Sequence, residues 1–254
     1  MIHRLAAAFA AAFTASLVHA APGECTAKSG VATAALVELY TSEGCDSCPP
    51  ADRWLSGLPA AGFGTGRVVP LALHVDYWDY IGWKDPFAKP LFAARQREVA
   101  AIGRNRVVYT PQVVLAGKDY RGWPARSRFA EAVATVNAAP ARAGIELAIG
   151  ASEIRAQAAV PRREDREDTA LFVAVYESGL STRVTAGENR GATLRHDFVV
   201  REWWGPLALD AAGTASLARP VDPQPLANGG LAAFVQSRRT GEILQALALP
   251  ACKG

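Results

Sequence analysis

Hydrophobic and polar positions follow two different rhythms along this chain, and the change falls near residue 140. Residues 34–40 are an apolar run of strand length. Trp54, Leu55 and Leu58 then recur at helical spacing behind Pro49 and Pro50, prolines that suit only a first helical turn, which predicts a helix over 45–58. Residues 68–75 (VVPLALHV) are almost wholly apolar, the mark of a strand covered on both faces. An amphipathic helix is predicted over 90–102, stopped by Gly103. A strand over 112–116, a tight turn at 117–119, a short return strand over 120–123 and a helix over 125–136 complete an order β-α-β-α-β-β-α. Beyond a linker at 138–144 (AAPARAG) the helical spacing disappears. Strand-length segments at 144–149, 153–160, 170–176, 194–203, 207–210, 231–236 and 242–249 alternate with charged or Gly-bearing turns, which predicts an antiparallel sandwich. Residues 244–249 also read as a terminal helical turn.

The first twenty residues stand apart. His3 and Arg4 precede an Ala-rich apolar core, and Val18-His19-Ala20 places small residues at a cleavage spacing. Residues 1–20 are therefore expected to be a signal peptide cut near Ala20, leaving a periplasmic or secreted protein without a membrane segment. Residues 21–33 read as a small, polar lead-in. The formal net charge of +3 changes by one unit with loss of Arg4, and no basic stripe points to nucleic acid.

Cys45 and Cys48 sit between the first strand and the first helix, the layout of a dithiol redox site. At helical pitch the two sulfurs are close enough to bond, and a helix starting at Cys45 would aim unpaired N–H groups at the first sulfur and favour its thiolate. Asp46 opposes that effect with negative charge. The same motif fits half a zinc site or an inert clip. A zinc site needs two more ligands, and beyond the leader only His74, His196, Cys25, Cys252 and carboxylates remain, so neither a metal nor a cofactor is expected. Cys25 and Cys252 are expected to bond and tie the two ends, a closure worth about 5 kcal/mol in the loop-entropy account. The alternative is a relay in which one of them exchanges with the Cys45–Cys48 pair. His74 closes a buried strand, and Asp76, Trp78, Asp79 and Trp83 follow on an aromatic insertion over 76–87. These read either as the wall of a substrate groove or as a packed lid. His196 reads as structural.

Residues 34–137, with a dithiol at the head of the first helix and Thr110-Pro111 just before the third strand, resemble the thioredoxin fold. The resemblance implies that Pro111 is cis and, with Thr110, faces the dithiol. It also implies that Glu38, an acid on the first strand, assists proton transfer to the second cysteine. The blocks VELYTSEGCDSCPPAD (37–52), HVDYWDYIGWKDPF (74–87), YTPQVVLAG (109–117) and GENRGATLRHDFVVREWW (187–204) extend the likeness to the whole chain. They resemble a secreted bacterial thioredoxin-like family of unassigned function, a domain-of-unknown-function family with a C-x-x-C-P-P motif. The fold expected is an α/β thioredoxin-like domain (34–137) followed by a smaller all-β sandwich-like domain (145–254).

The function expected is that of an exported thiol–disulfide oxidoreductase, with Cys45 as nucleophile and Cys48 as resolving thiol. Its partners would be protein thiols and disulfides of the periplasm, with no nucleic acid and no membrane; oligomeric state is left open. Two alternatives remain. One is a non-catalytic binding or scaffold module with a structural clip. The other is a copper(I) metallochaperone using the soft thiolates, although Met1, lost with the leader, is the sole methionine.

Overall fold

In the computed structural model, residues 24–251 are described; the expected leader, the cleavage expected near Ala20 and Cys252 lie outside them. The elements in chain order are β1 (Cys25–Lys28), β2 (Ala35–Thr41), α1 (Pro49–Ser56), β3 (Val68–His74), a 3-10 turn (Asp79–Ile81), α2 (Pro90–Ile102), β4 (Gln112–Leu115), β5 (Lys118–Asp119) and α3 (Arg126–Asn137). There follow β6 (Gly144–Ile149), β7 (Glu153–Ala159), a 3-10 turn (Arg163–Asp165), β8 (Thr169–Glu177), β9 (Leu180–Arg183), β10 (Thr193–His196), β11 (Val199–Ala208), β12 (Thr214–Pro220), α4 (Pro223–Ala227), β13 (Gly229–Ser237) and β14 (Ile243–Pro250). Among the described residues no helix is long and apolar enough to cross a membrane.

One sheet runs through both halves of the chain. Its strand order is β14-β13-β8-β11-β3-β2-β4-β5, eight strands in all. β2 and β3 are parallel, in the register Ala35↔Val68 to Thr41↔His74. β4 lies antiparallel on the far side of β2. On the near side of β3, β11 joins in parallel at Val199↔Ala72 and carries β8, β13 and β14 with it, all antiparallel. The expected boundary at 138–144 therefore does not divide the sheet, because the free edge of β3 is taken by a strand from the second half.

Side-chain parity explains the layers. On β2 the odd positions Ala35, Val37 and Leu39 pack with Ala51 and Leu55 of α1 and with Phe129 and Val133 of α3. The even positions Leu36 and Tyr40 face Phe92 and Val99 of α2. β8 is divided the same way. Its even positions Phe172 and Ala174 join the core around α2, while Leu171, Val173 and Val175 pack against β6 and β7. Burial on both faces is why β8 reads as one unbroken apolar run.

A second sheet, in the order β1-β6-β7-β12, covers that outer face and completes a sandwich. Its edge strand β1 comes from the segment expected to be a loose lead-in; Cys25–Lys28 pairs with Ile149–Glu146. β12, over Thr214–Pro220, has no counterpart among the segments expected from the sequence. Residues 243–250 are a strand and not a helical turn. The large sheet curls until its ends approach each other. Gln245 of β14 accepts from Ala34 N at 2.9 Å and donates to Gly30 O and Ala32 O at 3.0 and 3.1 Å. At Gly117, where φ is +82°, a Cβ would come within 1.8 Å of Gly241 O, so that glycine allows two turns from opposite ends of the sheet to touch.

Candidate functional site

The site forms where β2 and β3 end side by side. Thr41 and His74, the last residues of the two strands, are register partners and point to the α1 side of the sheet. After Thr41 the chain turns tightly: Gly44 N donates to Ser42 Oγ at 3.1 Å and Cys45 N to Ser42 O at 3.2 Å. Cys45 and Cys48 are joined by a disulfide, with their Cα atoms 5.4 Å apart. Both are covered, at 1% and 0% exposure.

The helix begins later than the sequence suggests. α1 starts at Pro49, and Cys45–Cys48 is a turn closed by Cys48 N to Cys45 O at 3.3 Å. This alters the electrostatics. Pro49 and Pro50 have no N–H, and the next two donors, Ala51 N and Asp52 N, both bond to Cys48 O at 2.8 and 3.1 Å. The expected fan of free N–H groups aimed at Cys45 is therefore not built; the near donor is Ser47, whose Oγ lies 3.4 Å from Cys45 Sγ.

Behind the disulfide lies a buried group of acids and imidazoles. Glu43 Oε1 is 3.0 Å from His196 Nε2, and its Oε2 accepts from Trp83 Nε1 at 2.8 Å. Asp85 Oδ2 is 2.7 Å from His74 Nδ1 and also accepts from Glu43 N at 2.8 Å. The His74 and His196 rings are 4.9 Å apart, edge to face. Asp52 lies one turn beyond Cys48 on the same buried side of α1, with Oδ2 3.9 Å from His196 Nδ1. Burial, resisted by the charges of His196 and His74, raises the Asp52 pKa above the ordinary carboxylate range. Burial works against protonation of His74, but Asp85, Asp52 and Glu43 outweigh it and leave that pKa raised. Asp85 is buried too, yet His74 and two backbone N–H groups hold its pKa down. Among the described residues no group of three or more His, Cys, Asp or Glu side chains is arranged to hold a metal ion.

Two segments close over the turn. Trp78 of the aromatic insertion packs on Gly44, where a Cβ would sit 2.9 Å from Trp78 Cβ, and its Nε1 donates to Thr110 Oγ1 at 2.7 Å. From the second half, the β9–β10 hairpin places Asn189 Nδ2 on Glu43 O at 2.8 Å and on Cys45 O at 2.9 Å. Glu188 Oε2 accepts from Asp46 N at 3.2 Å.

The expected site residues are thus distributed unevenly. His74 and Trp83 join the cluster behind the disulfide, and Trp78 and Thr110 are linked to each other beside it. The Thr110–Pro111 peptide is cis. Asp79 Oδ1 accepts from Asp85 N at 3.2 Å and so braces the insertion, while Asp76 is half-buried at its start. Cys25 lies on β1, and its expected pairing with Cys252 falls outside the described residues.

Glu38 is not where the expectation needs it. As an even position on β2 it faces α2, where Arg95 Nε and Nη2 donate to its two oxygens at 3.1 and 3.3 Å and Tyr40 OH donates at 3.1 Å. The sheet separates it from α1. Nothing in the sequence marks Glu43, Asp52, Asp85 or Asn189 as part of a site, and His196, which the sequence suggests is structural, joins them. Each falls within one of the four sequence blocks quoted above; Glu43, Asp52 and Asp85 come from the turn after β2, from α1 and from the insertion, and the parallel pairing of β11 with β3 brings His196 and Asn189 to them.

No curated protein matches the chain. Among solved structures, a crystal structure of a protein from Agrobacterium tumefaciens is similar over 88% of this chain and 96% of that one, with TM-score 0.68 and 24% identity. HBP35 of Porphyromonas gingivalis is similar over 89% of this chain and 77% of that one, with TM-score 0.64 and 13% identity. At such identities the likeness is one of fold alone. Residues 36–236, which include every member of the buried cluster, match the family described as Protein of unknown function (DUF1223), and the chain belongs to that family.

Proposed function

We propose that this protein is an exported thiol–disulfide oxidoreductase, built on a thioredoxin-like unit and acting through Cys45 and Cys48. The observation that carries the reading is the bonded Cys45–Cys48 pair in the turn leading into α1, backed by buried ionisable groups. In the reduced form the Cys45 thiolate attacks a substrate disulfide and expels one substrate thiol. Cys48 then attacks Cys45 Sγ, restores the protein disulfide and releases the second thiol. Ser47 Oγ, 3.4 Å from Cys45 Sγ, is placed to donate to the thiolate. The substrates proposed are protein thiols and disulfides of the periplasm, reached after removal of residues 1–20. The test is thiol–disulfide exchange with insulin and with a reduced dithiol peptide. Activity in one direction, abolished by Cys45→Ser, is the expected result; inactivity in both directions between pH 6 and 8 overturns the proposal.

One observation favours a second reading, a structural clip in a binding module. Both cysteines are buried, with Asn189 bonded to the turn at Cys45 O, so a protein substrate reaches Cys45 only when its cover moves. A Cys48→Ala trap separates the two readings: mixed-disulfide partners in cells support the oxidoreductase, and an empty trap supports the clip.

A further inference from the structure

We propose that Asp52, set by His196 from the β9–β10 hairpin, is the group that takes the proton from Cys48 when that thiol attacks, and passes it to solvent through a cleft between α1 and β10. The inference rests on the oxidoreductase reading and names its proton carrier.

Cys48 is sealed from water at 0% exposure, so the proton it sheds must pass to a protein group. Asp52 is the carboxyl on the same helix face one turn away, and its own N–H is bonded to Cys48 O at 3.1 Å, which fixes their relation. Its Oδ1 has no hydrogen-bond partner in the protein, and neither does His196 Nδ1 opposite. The other acids near the turn are committed: Glu43 to Trp83 and His196, Asp85 to His74 and two backbone N–H groups. Glu38 is bound to Arg95 across the sheet. Asp52 also has an exit. A cleft of about 180 Å³ is lined by Pro49, Asp52, Arg53, Thr193, Leu194 and Arg195, with neither cysteine in its wall. That is room for water.

The groups facing Asp52 fix the direction of each effect. Burial raises its pKa, and Asp85 on the insertion adds to this, while His196 on β10, His74 on β3 and the Thr41 hydroxyl on β2 hold it down. Arg53 and Arg195 line the cleft with it. In the resolving step the Cys48 thiol gives its proton to the Asp52 carboxylate. Its sulfur forms a bond to Cys45 Sγ, the bond from Cys45 to the substrate sulfur breaks, and the departing thiolate takes a proton from solvent. Asp52 then loses its proton through the cleft. The electron pair gained by the substrate disulfide comes from the dithiol.

The test is the rate at which Cys48 resolves a glutathione mixed disulfide at Cys45, followed from pH 4 to 9 by quenching and mass analysis on the whole protein. Wild type should show a limb rising through the raised carboxylate pKa of Asp52 and a plateau above it. Asp52→Asn should lower the pH 7 rate by about ten-fold or more and move the rise to the thiol range, near pH 8.5. His196→Gln should move the wild-type limb to higher pH, because it removes an influence that lowers the Asp52 pKa. Near-UV circular dichroism identifies folded variants. A folded Asp52→Asn protein with the wild-type rate and profile overturns the inference and leaves the oxidoreductase reading standing. A wild-type protein that resolves the glutathione adduct through Asp52, yet turns over no protein substrate, overturns the wider reading instead.

Discussion

Glu38 and Asp52 are both buried carboxyls, and what each faces decides its role. Glu38 balances Arg95, whose guanidinium also lies over Phe172 and Phe234 at 5.0 and 5.5 Å. Removing one partner of a buried pair leaves the other uncompensated. Glu38→Gln should therefore lower stability by about 3 kcal/mol in urea denaturation while leaving the pH profile of mixed-disulfide resolution in place. A profile altered by Glu38→Gln would return the proton-carrying role to the strand. Asp52 has the opposite relation to stability. An acid whose folded pKa is raised holds its proton more tightly when folded, so its contribution falls as pH rises from the unfolded carboxylate value, about 3.9, through the folded one. Asp52→Asn should gain stability relative to wild type on going from pH 4 to 7. The His74–Asp85 pair acts at both ends of the scale. With His74 raised, its contribution is complete below about pH 6.5 and is lost as pH climbs through the folded pKa. With Asp85 lowered, its contribution is present above about pH 3.9 and is lost as pH falls through the folded pKa. Denaturation of Asp85→Asn across pH 3–8 should show both slopes reduced.

At the scale of elements, the β9–β10 hairpin matters most. It belongs to neither large sheet, being a two-stranded ladder in the register Thr193↔Arg183 to His196↔Leu180. It nevertheless supplies His196 to the cluster and Asn189 to the dithiol turn. Asn189→Ala removes two hydrogen bonds, each worth about 1 kcal/mol, from the closed arrangement. Reduction of Cys45–Cys48 by a small thiol should accelerate by up to about thirty-fold, as read from alkylation of the freed cysteines. An unchanged rate would mean that the hairpin does not limit access. The two prolines opening α1 have a related effect: they remove N–H groups that would otherwise face Cys45, leaving Ser47 as the near donor.

For the molecule as a whole, the continuous sheet means that residues 34–137 have no complete core of their own. Without β8, β11, β13 and β14 the edge of β3 is open, and the α2 core loses Phe172, Tyr176, Val200 and Phe234. A fragment spanning 34–137 should show no cooperative unfolding transition and little near-UV circular dichroism, whereas the whole chain should unfold as one unit. A cooperatively folding fragment would restore the expected boundary.

The sequence by itself determined β2, β3, α2, β4 and α3, because period and punctuation are local: Gly103 and the apolar run at 68–75 each announce what their own backbone does, whereas β1, the start of α1 at Pro49 and the place of β5 at Lys118–Asp119 depend on distant partners. It also marked Cys45–Cys48, a spacing that needs no distant partner to be read. It could not reveal that β11 docks on β3, since nothing local distinguishes a strand that closes a sandwich from one that extends a neighbouring sheet. That pairing belongs to tertiary structure, and the site depends on it. It carries His196 and Asn189 to a turn some 150 residues earlier in the chain. Glu38 was misplaced for a related reason: on a strand one position decides the face, and the face toward α1 belongs to Leu39 and Thr41.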